Sequence, residues 1–143
     1  MRATEDLGAA GGLEPACRFL MALMFLMAAA GGLLSPSGFA AGLGQMGVPF
    51  PAVAGAAATT VNIAGPVLLV LDIRRTGWLG AFALAGFTAL TIPYGHAFWR
   101  FAEPRRTEEM RIAIEHIGII GGLTLAGLTS YRRWRDHRLA RPR

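Results

Sequence analysis

Apolar positions gather into four runs, at about residues 18–34, 53–71, 78–95 and 112–129. Charged positions fall almost entirely outside them, in residues 1–18, 72–75, 100–115 and 132–143. A segment needs about 20 mainly apolar residues to cross the hydrocarbon core of a bilayer. The pattern therefore predicts an all-α fold, a bundle of four transmembrane helices with a short interfacial segment between the first and second. Residues 1–17, with Glu5, Asp6 and Glu14, read as a mobile polar tail, residues 18–130 as the membrane domain and residues 131–143 as a basic tail.

The residues that punctuate the runs refine this picture. The first run is short, and Ala28-Ala29-Ala30 resembles the end of a cleavable secretory signal. The apolar Gly31-Gly32-Leu33-Leu34 that follows favours a retained helix. Residues 35–52 carry no charge, and Pro36, Pro49 and Pro51 preclude an unbroken helix. They predict an interfacial helix near residues 39–46 and an extended turn from Val48 to Pro51. Pro66 should kink the second span and free a carbonyl that needs a neighbouring partner in lipid. Trp78 at one end of the third span, with Tyr94 and Trp99 at the other, suits two aromatic belts. Thr107 reads as the cap of the fourth helix, followed by Glu108 and Glu109 in a first turn that favours acidic groups. Gly118 and Gly122 would let helices approach closely, by default within the bundle.

Composition changes the picture in two places. The 143 residues are 53% hydrophobic and 16% charged, against about 25% charged in an ordinary soluble domain. The net charge of +5 comes from arginine alone, since the chain has no lysine. In a soluble protein an isoelectric point near 11.0 would point to nucleic acid. Here the arginines flank apolar spans and read as topology determinants, so no nucleic-acid partner is inferred. Ten lie in the N-terminal tail, the second loop and the C-terminal tail, against four in the third loop, where they are interleaved with glutamates. The positive-inside rule then puts both termini in the cytoplasm. The single Cys17 excludes an intrachain disulfide and a CxxC redox pair.

Candidate chemistry collects where the third span ends and the fourth begins. His96 and His116 are the leading candidates, since a neutral imidazole ligates metal or haem iron and exchanges protons with a quinol. Against this stands the reading that both sit in the interface and bond to backbone or water. Glu115 pairs with Arg111 one turn earlier or relays protons with His116. Asn62 is either a bond between helices or a ligand contact. A quinone is the ligand favoured, with haem the weaker alternative, and no metal site is inferred. In that reading His96, His116 and Glu115 handle protons, while Tyr94 and Trp99 flank the ring.

One resemblance adds to this. Arg18 before the first span, Gly38-Phe39 followed by Gly47-Val48-Pro49-Phe50-Pro51, His96-Ala97-Phe98-Trp99 closing the third span and Gly118-Ile119-Ile120-Gly121-Gly122-Leu123 in the fourth resemble the DoxX family, over roughly residues 16–130. The resemblance implies a four-helix bundle in the bacterial cytoplasmic (inner) membrane and an association with quinone-linked redox systems. Many members carry an acidic residue where this chain has Asn62, and a Lys-Asn pair where it has Glu115-His116. With no catalytic motif in the chain, the reading is an accessory subunit beside a redox-enzyme partner. A non-catalytic scaffold or assembly factor is the alternative, and a homo-oligomer is left open.

Overall fold

The computed structural model describes residues 2–140, and side chains from Gly12 onward. Readings that rest on Met1, Arg141 and Arg143, or on the side chains of Arg2, Glu5 and Asp6, lie outside the described residues. The described residues hold five α-helices: α1 (Arg2–Leu34), α2 (Pro36–Gln45), α3 (Pro51–Leu71), α4 (Gly77–Gly95) and α5 (Arg105–Leu139). Four stretches are long and apolar enough to cross a membrane: Gly12–Leu34, Pro51–Leu71, Gly77–Arg100 and Arg105–Leu139. The fold is the all-α, four-span bundle, with α2 as the short segment between the first two spans.

Proline and side-chain caps set the helix starts. α2 and α3 begin on Pro36 and Pro51, whose fixed φ suits the first helical residue and whose missing N–H is not needed there. α5 starts at Arg105, directly after Pro104. Its first turn is capped by Glu103, whose Oε2 accepts the Thr107 backbone N–H at 3.3 Å and hydroxyl at 2.7 Å. Thr107 therefore lies inside the helix and is not the expected cap, because a carboxylate four residues earlier reaches its free N–H. Residues 12–17, expected as tail, are helical turns of α1, and α5 runs on through the basic segment to Leu139. The turn from Val48 to Pro51 is not extended throughout, since Phe50 is left-handed (φ 50°) just ahead of α3.

Helix α1 packs on α3, α3 on α4 and α4 on α5, while α2 lies across the ends of α1 and α3. The core gathers Phe25, Leu69, Ala81, Leu84, Ala85 and Leu123, with Met21 and Ile119 against it. Among all the buried apolar residues small ones dominate, seven of eleven being alanine, because helices in lipid gain little from burying apolar surface against one another and must gain it from close packing. The closest backbone-to-backbone approach at a glycine is between α3 and α4. A Cβ on Gly80 would stand 2.8 Å from the Leu69 backbone nitrogen, and one on Gly65 2.6 Å from Leu84 Cγ. The expected use of Gly118 and Gly122 inside the bundle is not seen. A Cβ on Gly118 would meet nothing within 4 Å, and one on Gly122 would meet only Met21 Cε, at 3.3 Å. Outward faces carry large apolar side chains such as Leu20, Met27, Leu90, Ile117 and Leu125, as surfaces in contact with lipid require.

Candidate functional site: a histidine pair opposite a buried ion network

Alternate spans run in opposite directions, so the start of α1, the α3–α4 turn and the end of α5 share one end of the bundle. The α4–α5 connection and α2 share the other. Polar chemistry concentrates at both.

At the α4–α5 end, α4 stops at Gly95 and His96 follows as its cap residue. His96 Nδ1 lies 3.0 Å from Glu109 Oε2, and Arg105 Nε donates to Glu109 Oε1 at 3.4 Å. One turn and three residues further along α5, His116 Nδ1 lies 2.9 Å from the Ile112 carbonyl oxygen. The two imidazoles are 4.7 Å apart, centroid to centroid, and tilted by 53°. Glu109 and His116 are seven residues apart, two helical turns, so they share a face of α5.

The acceptors fix the tautomers. A carbonyl oxygen cannot donate, and Glu109, held by Arg105, is a carboxylate. Each Nδ1 must therefore carry the proton and donate it. Among the described residues, these bonds account for the hydrogen bonding of both rings, which leaves both Nε2 atoms as acceptors in the neutral state. Both rings are half-buried. The arrangement is a pair of oriented bases, one of them backed by a carboxylate.

Of the six residues singled out in the sequence, the structure brings His96 and His116 together. Tyr94 and Trp99 lie at the same end, exposed, with Trp99 edge-on to Phe98 at 5.1 Å. Glu115 turns away: its side chain is 62% exposed and lies 4.0 Å from Arg111, the helical ion pair. Asn62 is elsewhere, 1% exposed in the middle of α3, with its Oδ1 unpartnered. The carboxylate that meets a histidine is Glu109, which sequence reasoning passed over. The signal was its spacing of seven from His116.

A groove of about 460 Å³ lies away from the histidines. It lies between the end of α1, α2 and the start of α3, lined by Gly32, Phe39, Ala40, Gly55, Ala56 and Thr59 among others. Among the described residues, no group of three or more His, Cys, Asp or Glu side chains is arranged to hold a metal ion.

At the other end, Arg18 is 5% exposed. Its guanidinium donates to Glu14 Oε1 at 2.8 Å and to the Leu69 carbonyl at 3.1 Å, and lies 3.0 Å from Asp72 Oδ2. Asp72 Oδ1 accepts the Gly77 N–H at 2.7 Å, which caps α4, and the Ser130 hydroxyl at 3.1 Å. Arg133 closes the set with two bonds to Glu14, one at 2.9 Å. Two cations and two anions thus tie α1, α3, α4 and α5 together. The sequence reading treated Arg18 as a topology determinant alone. The spacing Glu14-x-x-x-Arg18 was visible, whereas its partner Asp72 is 54 residues away.

A bundle of four spans with lipid-facing exteriors and buried ion pairs defines a polytopic membrane protein. The DoxX family model matches residues 15–97, more than half of the 143 residues, and the chain belongs to the DoxX family. The match takes in Arg18, Asp72 and His96 and stops short of α5, with Glu109 and His116. No curated protein and no solved structure matches the chain.

Proposed function

We propose that this DoxX-family protein is the accessory membrane subunit of a quinone-linked redox system, and that its quinone site is the His96–His116 end. The observation that carries the reading is the tautomer pair: two imidazoles 4.7 Å apart, each with Nδ1–H already engaged and Nε2 free. A quinone takes up two protons with two electrons, and a quinol releases both. Neutral Nε2 atoms accept protons from quinol hydroxyls, and the same atoms once protonated donate to quinone carbonyls. Glu109 holds the His96 ring in place and stabilises its cationic form, as a carboxylate behind an imidazole does. Tyr94 and Trp99 offer aromatic faces at the same depth. With one cysteine in the chain, the electrons pass to or from a redox centre in a partner subunit. Asn62 and Glu115 take no direct part, given where they lie.

In this reading residues 18–130 form the membrane domain, placed in the bacterial inner membrane with both termini cytoplasmic. The arginine asymmetry supports that orientation. The ion network then faces the cytoplasm and the histidines face outward.

A second reading has its own observation. The groove of about 460 Å³ contains neither histidine, and a ligand site is ordinarily a concave pocket. That favours a non-catalytic scaffold or assembly factor whose histidines serve α4–α5 packing. Quinone content decides between them. Protein purified in mild detergent and washed free of lipid is assayed by mass spectrometry, as wild type, His96→Ala and His116→Ala, with helical circular dichroism as the folding control. Near-stoichiometric quinone in wild type, lost from folded variants, is the expected result. Quinone absent from wild type, or retained in both variants, overturns the site in favour of the scaffold.

A further inference from the structure

The arginines at the ion-network end fall into two sets. Arg18 and Arg133 are matched by Glu14 and Asp72, Arg135 pairs with Asp136 at 3.0 Å, and Arg138 lies over the Trp134 ring at 5.2 Å. Arg74, Arg75 and Arg132 are exposed and have no acidic partner among the described residues.

Two of the unmatched three stand in a turn that is expensive to form. Asp72 (φ 43°), Arg74 (φ 53°) and Arg75 (φ 63°) are all left-handed, a region that side chains with a Cβ rarely adopt. The turn is held by bonds from the Arg75 N–H to the Asp72 carbonyl at 2.8 Å and from the Thr76 N–H to the Ile73 carbonyl at 3.1 Å. Arg75 Nη1 also donates to the Arg133 carbonyl at 3.2 Å, which fixes the turn against α5. The backbone is thus kept in an unfavourable conformation that places the Arg75 guanidinium beside the Tyr131–Trp134 turn of α5, with the exposed Arg74 next to it in the chain.

The surrounding groups have donors to spare. Trp78 Nε1 and Arg133 Nε are buried without an acceptor. Trp78 packs against Tyr131 at 5.4 Å and Trp134 at 5.8 Å, and those two rings stack at 5.5 Å. Unmatched guanidiniums, unpartnered N–H donors and an aromatic cluster therefore meet where α3 ends and α4 begins, at the level of the bilayer surface.

We propose that this corner binds the headgroup phosphate of an anionic phospholipid. Arg74 and Arg75 take the phosphate oxygens, for which the planar fork of arginine is suited. The Trp78–Tyr131–Trp134 cluster lies against the glycerol and ester region, where aromatic side chains favour the interface. The site is at the opposite end from the histidine pair and does not depend on the quinone reading.

The test uses the full chain in a neutral detergent and measures lipid retention by native mass spectrometry, with phosphatidylglycerol, phosphatidylcholine and inorganic phosphate as probes. Phosphatidylglycerol is expected to bind in preference to phosphatidylcholine and to weaken with added salt. The double variant Arg74→Gln/Arg75→Gln should weaken it by about 30-fold, the product of two interfacial cations. Arg100→Gln/Arg106→Gln, which removes two exposed arginines at the other end, should leave it within about twofold. Equal loss in both double variants would reduce the effect to net charge and overturn the site. Equal retention of phosphatidylcholine would overturn the anionic preference, and competition by millimolar inorganic phosphate would overturn the lipid in favour of a free phosphate site. Should the double variant fail to fold, the wild-type preference and its salt dependence still decide the proposal.

Discussion

The two polar ends of the bundle use the same materials to different effect. At one, Arg18, Glu14, Asp72 and Arg133 come from two helices and the α3–α4 turn, and the central cation is almost wholly buried. At the other, His96, Glu109, Arg105 and His116 come from one helix end and about three turns of a single neighbouring helix, and the rings remain half-buried. The first end neutralises each of its four charges internally. The second stops one bond short on each imidazole. A network whose charges meet one another holds helices in place and leaves any ligand to the unmatched arginines beside it, whereas an oriented acceptor at a half-open surface can itself take one.

The largest expected effect breaks the first end. Arg18→Ala leaves the half-buried Asp72 without its cation, and removing one member of a fully buried pair costs about 3–5 kcal/mol, an upper bound here. Thermal unfolding followed by circular dichroism should show the largest drop in midpoint here, and a drop no greater than that of a surface arginine would mean the network does not hold the bundle. Next comes packing. Gly80→Ala forces a methyl into the α3 backbone and should cost about 1–3 kcal/mol. Gly118→Ala, facing open space, should be neutral within about 0.5 kcal/mol, and comparable losses from the two would refute the α3–α4 contact as the tight one. A smaller effect sharpens the second end. Glu109→Gln, at a side chain 16% exposed, should cost about 1 kcal/mol of stability because the amide oxygen still accepts the His96 bond, yet lower quinone retention about tenfold, if Glu109 steadies the imidazolium. Glu115→Gln, the smallest, should change stability by about 0.5 kcal/mol at most and leave retention unaltered. A Glu115→Gln loss as large as that of Glu109→Gln would reassign the carboxylate.

Much of this bundle was legible in the sequence because the bilayer imposes a length and a polarity on every span. The four runs, the interfacial helix after Pro36 and the aromatic residues at the span ends follow from those constraints alone. Pairing of the two histidines was legible too, since α4 and α5 are joined by a short loop and must meet at that end. What escaped was phase. Glu115 adjoins His116 in sequence, but adjacent residues on a helix point about 100° apart, while residues seven apart realign. Starting α5 at Arg105 puts Glu109, two turns before His116, under His96. Arg18 escaped for a different reason. Burial of an arginine depends on which acid folding brings to it, and Asp72 arrives from the far end of another span. The Gly65–Gly80 contact likewise needed both partners, whereas Gly118 and Gly122 formed a familiar local motif with no partner opposite it.

The 35 residues of α5 make a rod of about 52 Å at 1.5 Å per residue, against about 30 Å of hydrocarbon. The helix therefore continues well beyond the bilayer without a joint. Mechanically, α5 is a shaft: the basic segment at Arg132–Arg138 and His116 lie on one uninterrupted helix, and Gly118, Gly121, Gly122 and Gly127 between them are the points at which it would bend first.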